Sequence, residues 1–147
     1  GGASVEDAAV IAETVGATVG NVFVVGALDL ARAGGRLAAE VDDEGEGTAI
    51  PVLSLVGGEI RPVGRARDVA EAAEVMATYA RAWGDGLRCA VGIADAAAAP
   101  LWRALEERLG AAPEVQEVVR YRVGPSVGVH TGPGTAGAFF YPAYPAR

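Results

Sequence analysis

The chain has 147 residues, 51% of them hydrophobic, and its 19 acidic and 12 basic side chains give a formal net charge of -7. This composition suits one folded domain; it excludes general disorder, and without a Lys/Arg cluster it argues against a nucleic-acid-binding surface. No apolar stretch reaches the roughly 20 residues that cross a bilayer, one cysteine excludes an intramolecular disulfide, and no secretion signal begins the chain, so we expect a soluble, cytoplasmic protein.

The N-terminal segment predicts a helix followed by a strand. Ser4 followed by Asp7 is typical of a capping box, in which a hydroxyl and a carboxylate satisfy backbone N–H groups. Apolar residues at helical spacing then predict a helix from Val5 to Val15 that ends at Gly16. The apolar, β-branched run at residues 21–27 predicts a strand.

A short helix, an acidic loop and a hairpin are predicted next. The helix ends at the pair Gly34-Gly35, and the acidic, glycine-rich segment 40–48 is typical of a mobile loop. The hairpin strands cover residues 50–56 and 59–65, with Gly57 and Gly58 between them. A two-residue spacing of this kind favours the primed turns of a hairpin.

The second half of the chain predicts two capped helices among several strands. Asp68 and Asp95 are placed to cap them. The predicted elements are a helix over 69–83, a strand over 88–94, a helix over 101–109, strands over 115–123 and 124–130, a loop at 131–137, and a final strand. This order favours an α+β fold with a mixed or antiparallel sheet of about five or six strands, in a single domain over residues 1–147.

Few residues in the sequence could carry chemistry. His130 is the only histidine and no CxxC motif exists, so we predict neither a metal site nor a cofactor. Cys89 could pair with His130 as a nucleophile, but its position in a predicted buried strand favours a packing role. Gly132, Gly134 and Gly137 match GxGxxG, yet the ten residues that follow are too few for a dinucleotide-binding unit.

Three blocks of sequence resemble the DegV family of bacterial fatty-acid-binding proteins, in the same order and spacing. The blocks are FVVGALDLARAGGRLA at residues 23–38, PVLSLVGGEIRPVGRAR at 51–67 and VGVHTGPGTAGAFF at 127–140. The HTGPG motif in the third block is the most specific of them. The resemblance implies an α+β domain that corresponds to the C-terminal half of such a protein, with the N-terminal α/β domain absent from this chain.

The same resemblance implies a non-catalytic carrier of a long-chain fatty acid. Such a carrier presents the acyl carboxylate to a separate, ATP-dependent fatty acid kinase subunit. The implied roles are carboxylate binding by Arg36, His130 and Thr131, a ligand-binding loop at Gly132 and Gly134, and docking of the kinase subunit at Arg67. The segments 39–50 and 68–74 depart from the family's pattern, which bears on ligand length and partner recognition.

Other interpretations remain open at the level of sequence. Arg36 and Arg67 could be solvated surface arginines, and His130 a histidine that is satisfied within a turn. The chain could be an enzyme that uses His130 on a small phosphate ester, with residues 131–137 as an anion-binding loop. It could also be an interaction domain that has lost its ligand.

Overall fold

The computed structural model describes residue 2, residues 4–35, Leu37, Val41 and residues 49–143. The elements over this part of the chain are α1 (Val5–Thr18), β1 (Gly20–Val24), α2 (Leu28–Ala33), β2 (Ile50–Val56), β3 (Glu59–Ala66), α3 (Val69–Arg81), β4 (Leu87–Ile93), a 3-10 turn (Ala96–Ala98), α4 (Ala99–Ala111), β5 (Val115–Arg122), α5 (Pro125–Thr131) and β6 (Ala136–Pro142). Most of the predicted loop at 40–48 lies outside the described residues. Within the described ranges, no helix is both long and apolar enough to span a membrane.

Two of the three predicted polar caps begin their helices. The prediction that Asp95 caps α4 is wrong, because its carboxylate accepts the Ala97 N–H at 2.7 Å and so caps the 3-10 turn, whereas α4 follows this turn without a side-chain cap. The Ser4 hydroxyl accepts the Asp7 N–H at 3.0 Å, and the Ser4 N–H donates to the Asp7 carboxylate at 3.4 Å, which completes a capping box. At the start of α3, the Asp68 carboxylate accepts the Glu71 N–H at 2.8 Å. The predicted end of α1 at Gly16 is wrong, because the helix continues to Thr18. One glycine inside a helix costs only about 1 kcal/mol, which the other turns of the helix can offset.

The predicted hairpin joins β2 to β3. Gly57 and Gly58 have φ angles of 62° and 89°. Positive φ at both central residues suits a type I′ turn, whose twist matches that of the flanking strands. The turn brings Val56 opposite Glu59, and the prediction is confirmed.

The six described strands form one mixed sheet with the order β3-β2-β1-β6-β4-β5. The β4 and β5 strands pair in parallel, and the other neighbours pair antiparallel. The crossover between the parallel strands is α4, as such connections require. The α+β fold and the strand number agree with the prediction.

Helices α3 and α4 cover one face of this sheet. Strand side chains that alternate toward this face meet the apolar sides of the two helices, as the two-residue period of a strand requires. The largest fully buried side chains of this core are Val22, Val52, Met76, Leu87, Val91, Leu105, Leu109 and Phe140.

The opposite face, which we call the open face, carries Phe23, Leu53, Leu55, Tyr121 and Phe139. Leu53 belongs to a small second cluster with Phe23, but Leu55 and Phe139 remain 40% and 47% exposed. Large apolar side chains exposed together on one surface are typical of a binding surface.

The strand predicted over residues 124–130 is wrong, because this segment forms helix α5. Pro125 lies in the first turn, where its fixed φ suits a helix and its missing N–H costs nothing. The main-chain carbonyl of Thr131, at the last turn, accepts the N–H groups of Gly26 and Ala27 at 3.0 and 3.1 Å. These bonds come from the loop after β1, so the local sequence does not reveal them.

Candidate functional site

A cavity of about 270 Å³ lies between the open face and the helices α2 and α5. Its lining is mostly apolar, with a few polar groups, which is the usual composition of a small-molecule site. The principal lining residues are Phe23, Tyr121, Gly137 and Phe139 from the sheet, Ala31 and Gly34 from the end of α2, and Ser126, Val127, His130 and Thr131 from α5.

A row of four paired residues crosses the open face of the sheet beside the cavity, and its two middle members are glycines; we call this row the cavity floor. Phe23 pairs with Gly137, which pairs with Gly92, which in turn pairs with Tyr121. A Cβ at Gly137 would lie 2.7 Å from the Cβ of Phe23, so only glycine fits there. Bare backbone therefore lies between the two aromatic rings.

Tyr121 covers the β5 end of this floor. Its ring packs on that of Phe139 with centroids 5.8 Å apart, and it lies over Gly92, where a Cβ would approach the Tyr121 Cζ to 2.4 Å. Burial raises the pKa of Tyr121 to about 12, so the phenol is neutral at physiological pH.

Asn21 joins β1 to β2 at the lower edge of the cavity. Its side-chain amide donates to the Leu55 carbonyl at 2.9 Å and accepts the Leu55 N–H at 2.7 Å. The amide thus takes the place of a main-chain pair between the two strands, and these two bonds leave one of its N–H groups and one lone pair of its oxygen unused. Neither Asn21 nor Tyr121 was predicted as a site residue. An asparagine inside an apolar strand was the available signal for the first, since such residues are rare in strands.

His130 lies at the cavity margin, near the C-terminal end of α5. A Cβ added to Gly34 would lie 3.2 Å from His130 Nδ1, so the imidazole packs directly on the turn that follows α2. His130 is exposed, which leaves room for a ligand beside it. Arg36 follows this turn but lies outside the described residues, so its proximity to His130 stays a prediction.

Thr131 is buried beside His130 and also lines the cavity. Its hydroxyl donates to the Val127 carbonyl at 3.2 Å, the usual i−4 bond of threonine in a helix. The hydroxyl oxygen can still accept a hydrogen bond. Its proton must turn away from the Val127 carbonyl before the hydroxyl can donate to a carboxylate. Binding of an anion by Thr131 therefore requires rotation about χ1 or of the hydroxyl itself.

The loop after α5 is held by the protein's own acceptors. Gly132 and Gly134 have φ angles of 74° and 85°. The Gly132 N–H donates to the Gly128 carbonyl at 2.9 Å, and the Gly134 N–H donates to the Asp95 carboxylate at 2.8 Å. The segment predicted as a loop begins at the last residue of α5 and runs into β6 at Ala136. Ligand contact by these two glycines stays a prediction.

Arg67 lies on the surface after β3 and contributes nothing to the cavity lining described above. Its guanidinium donates to the Glu71 carboxylate at 2.9 and 3.3 Å, and its side chain is 88% exposed. The hydrogen bond from Arg67 lowers the pKa of the Glu71 carboxyl. An exposed pair of this kind contributes little to stability and is open to exchange with a partner's charges.

Cys89 lies in β4 with its side chain in the core beneath α3 and α4. His130 lies on the other side of the sheet, at the margin of the cavity. Burial raises the pKa of the Cys89 thiol to about 11, which disfavours the thiolate. The interpretation of the two residues as a nucleophilic pair is therefore wrong.

The domain thus packs α3 and α4 on one face of its sheet and carries an apolar cavity on the other. The chain belongs to the DegV family, because the family model, described as "Uncharacterised protein, DegV family", matches residues 1–143. A DegV domain-containing protein of Streptomyces coelicolor is 32% identical over 138 residues, which are 92% of this chain and 49% of that protein.

Solved structures of DegV proteins share this fold. A DegV family protein of Thermus thermophilus, described by its fatty acid binding, is 29% identical with a TM-score of 0.80 over 97% of this chain and 52% of that one. DegV of Bacillus subtilis, described as a fatty acid binding protein, is 26% identical with a TM-score of 0.67, covering 95% of this chain and 50% of that one. A DegV family protein of Corynebacterium glutamicum has a TM-score of 0.83 at 23% identity, covering 99% and 56%. The chain therefore spans about half the length of these relatives.

Proposed function

We propose that the chain binds a fatty acid, with the acyl tail in the cavity on the open face and the carboxylate beside His130. The observation that carries this proposal is the apolar cavity itself, whose polar groups include His130 and Thr131 on one helix. Burial of methylene groups supplies affinity for an acyl tail, at about 0.8 kcal/mol for each CH₂. The fatty acids bound by the Thermus and Bacillus relatives support the same class of ligand.

The carboxylate end of the ligand needs hydrogen-bond donors, because an unpaired charge is costly to remove from water. The imidazole of His130 supplies one donor, and the sequence prediction adds Thr131 and Arg36. A guanidinium can bind a carboxylate with two parallel bonds, which is the strongest arrangement of this kind. We propose that these three side chains form the carboxylate site, with Gly132 and Gly134 fixing the loop that ends α5.

A second domain completes the site in our proposal. Besides the exposed apolar residues of the open face, α1 carries Val5, Val10 and Ile11 at 81%, 62% and 58% exposure. None of the residues of α1, all of which are described, is buried. A helix of this length is marginal in water without packing partners, so a companion domain would stabilise it. We propose that this companion is an N-terminal α/β domain.

Native mass spectrometry of the purified protein, both as this chain and joined to a companion domain, tests the proposed ligand. We expect the joined protein to show a mass increase equal to the mass of a fatty acid. Turnover of model phosphate esters without a bound lipid would instead favour the enzyme interpretation. Absence of both would favour an interaction domain that has lost its ligand. Two N–H groups of the loop proposed for the phosphate ester, those of Gly132 and Gly134, already donate within the protein, which disfavours the enzyme interpretation.

The isolated 147-residue chain is expected to hold long-chain fatty acids poorly. One wall of the binding site remains open, so many methylene groups of the tail stay in water and their burial energy is lost. Titration with a fluorescent fatty acid measures the difference, with the joined protein as the control. Sub-micromolar, saturable, one-to-one binding by the monomeric chain would show that the site is already complete and that no second domain is needed.

We further propose that the protein is a carrier that presents the carboxylate to a separate, ATP-dependent kinase subunit, with Arg67 at the docking surface. Arg67→Ala in the joined protein is expected to leave fatty-acid affinity intact and to slow acyl phosphate formation by that subunit. The exposed Arg61 on the same hairpin offers a matched control, Arg61→Ala. If Arg67→Ala weakens binding and leaves transfer unchanged, the two roles have been assigned to the wrong residues.

A further inference from the structure

The hydroxyl of Tyr121 points across the cavity floor. The ring extends from β5 toward β4, because a Cβ on Gly92 would lie 2.4 Å from the Tyr121 Cζ and 2.5 and 2.6 Å from its two Cε atoms. The hydroxyl is bonded to Cζ and continues in the same direction. The next residue across the sheet is Gly137 on β6, which is bare backbone and lines the cavity.

The cavity that this hydroxyl faces is mostly apolar, with a few polar side chains such as Ser126 and Thr131. Phe139 packs on the Tyr121 ring, and Phe23 and Val127 line the same cavity. Among the residues that the structure describes, none forms a hydrogen bond with the Tyr121 hydroxyl. Since the phenol is neutral, it can both donate and accept. Tyrosine hydroxyls that become buried usually have a partner, because an unmade hydrogen bond in a dry site is costly.

We infer that the ligand supplies this partner, and that the site selects acyl chains that carry a hydroxyl group on the tail. An unsubstituted tail that fills the cavity expels water and leaves the phenol unpaired. A hydroxylated tail with its oxygen at the right carbon restores the hydrogen bond and loses no other contact. The inference rests on the proposed fatty-acid function and deepens it.

Along the chain, Tyr121 precedes α5, and the proposed carboxylate site lies at the C-terminal end of this helix. The helix begins just after β5, the strand of Tyr121, and ends with His130 against the turn after α2. A carboxylate bound beside His130 therefore leaves the tail, not the head group, to meet the phenol. The cavity volume of about 270 Å³ equals roughly nine water volumes. It accommodates a segment of an acyl chain, so a ten-carbon acid is a suitable probe.

The test compares decanoate with 3-, 5- and 10-hydroxydecanoate by NMR-detected titration of the full chain. These acids dissolve at the millimolar concentrations that an open site requires. We expect one positional isomer to bind at least as tightly as decanoate and the other isomers roughly tenfold more weakly, because their hydroxyl group is buried without a partner. Tyr121→Phe should weaken binding of that isomer about tenfold. It should strengthen binding of decanoate several-fold, because no phenol hydroxyl is then left without a hydrogen-bond partner.

Tyr79→Phe is the matched control, because Tyr79 lies on α3 at the other face of the sheet, where its hydroxyl is 3.4 Å from Ser54 Oγ. This variant should keep the parent's preference among the four acids. If decanoate binds and every hydroxylated isomer binds more weakly in parent and Tyr121→Phe alike, the inference is overturned while the fatty-acid proposal stands. If none of the four acids binds, and the joined protein also fails to bind fatty acid, both are overturned.

Discussion

Replacing His130 with alanine in the joined, two-domain protein is expected to weaken fatty-acid binding by roughly ten- to hundredfold. Hydrogen bonds to charged groups contribute about 1.5–3 kcal/mol, and about 1.4 kcal/mol corresponds to a factor of ten in the dissociation constant. The fold should persist, because His130 is exposed and its side chain packs on a glycine turn. Titration with a fluorescent fatty acid measures the loss, and thermal unfolding checks the fold.

A neighbouring residue on the same helix supplies the control for this experiment. Val129 is 63% exposed and is absent from the cavity lining, so Val129→Ala should bind as the parent does. The corresponding fatty alcohol, which has no carboxylate, should bind His130→Ala and the parent almost equally. An unchanged affinity of His130→Ala for the fatty acid would mean that the carboxylate is held elsewhere in the site.

Gly26→Ala is expected to lower the free energy of unfolding of the domain by about 3 kcal/mol or more. This value is at the upper end of what extra atoms in a packed region usually cost. A Cβ at Gly26 would lie 1.4 Å from the main-chain oxygen of Pro133, so one of the two loops has to move. The clash involves the main chain of the loop after β1 and that of the loop after α5. Main-chain atoms cannot move aside as the end of a flexible side chain would. Movement would also break the bonds from Gly26 and Ala27 to the Thr131 carbonyl.

Thermal unfolding of the purified chain measures this effect as a fall in the melting temperature of roughly 10 °C. Gly16→Ala is the matched control, because Gly16 lies inside α1 with no atom within 4 Å of an added Cβ. Alanine is the better helix former by up to about 1 kcal/mol, so this control should be neutral or slightly stabilising. Equal melting temperatures for the parent and Gly26→Ala would contradict the close approach of the two loops.

The sequence correctly predicted the helices and strands that are determined by residues close together in the chain. The hairpin was predictable because Gly57 and Gly58 lie between two apolar runs, and α3 because its capping aspartate precedes a helical apolar repeat. Helix α5 was predicted as a strand, since Val127 and Val129 alternate with small residues as in a strand. The bonds that hold its last turn come from Gly26 and Ala27, about a hundred residues away in sequence.

The site residues that belong to a sequence motif could be predicted. Those whose position depends on which strands pair in the sheet could not. The HTGPG motif drew attention to His130 and Thr131, and both line the cavity. Tyr121 acquires its position from Gly92 on the neighbouring strand, and Asn21 from the main chain of Leu55. Such pairings follow from the strand order, which local sequence patterns do not determine.

The packing of α3 and α4 on only one face of the sheet has a consequence for how this domain can evolve. Its stability resides in side chains such as Met76, Leu105 and Phe140, none of which lines the cavity. Residues of the open face that remain partly solvated, such as Leu55 and Phe139, can change at small cost to folding. Mutation can therefore alter which ligand the cavity accepts while the scaffold stays above its stability threshold, and related domains can diverge in ligand without diverging in architecture.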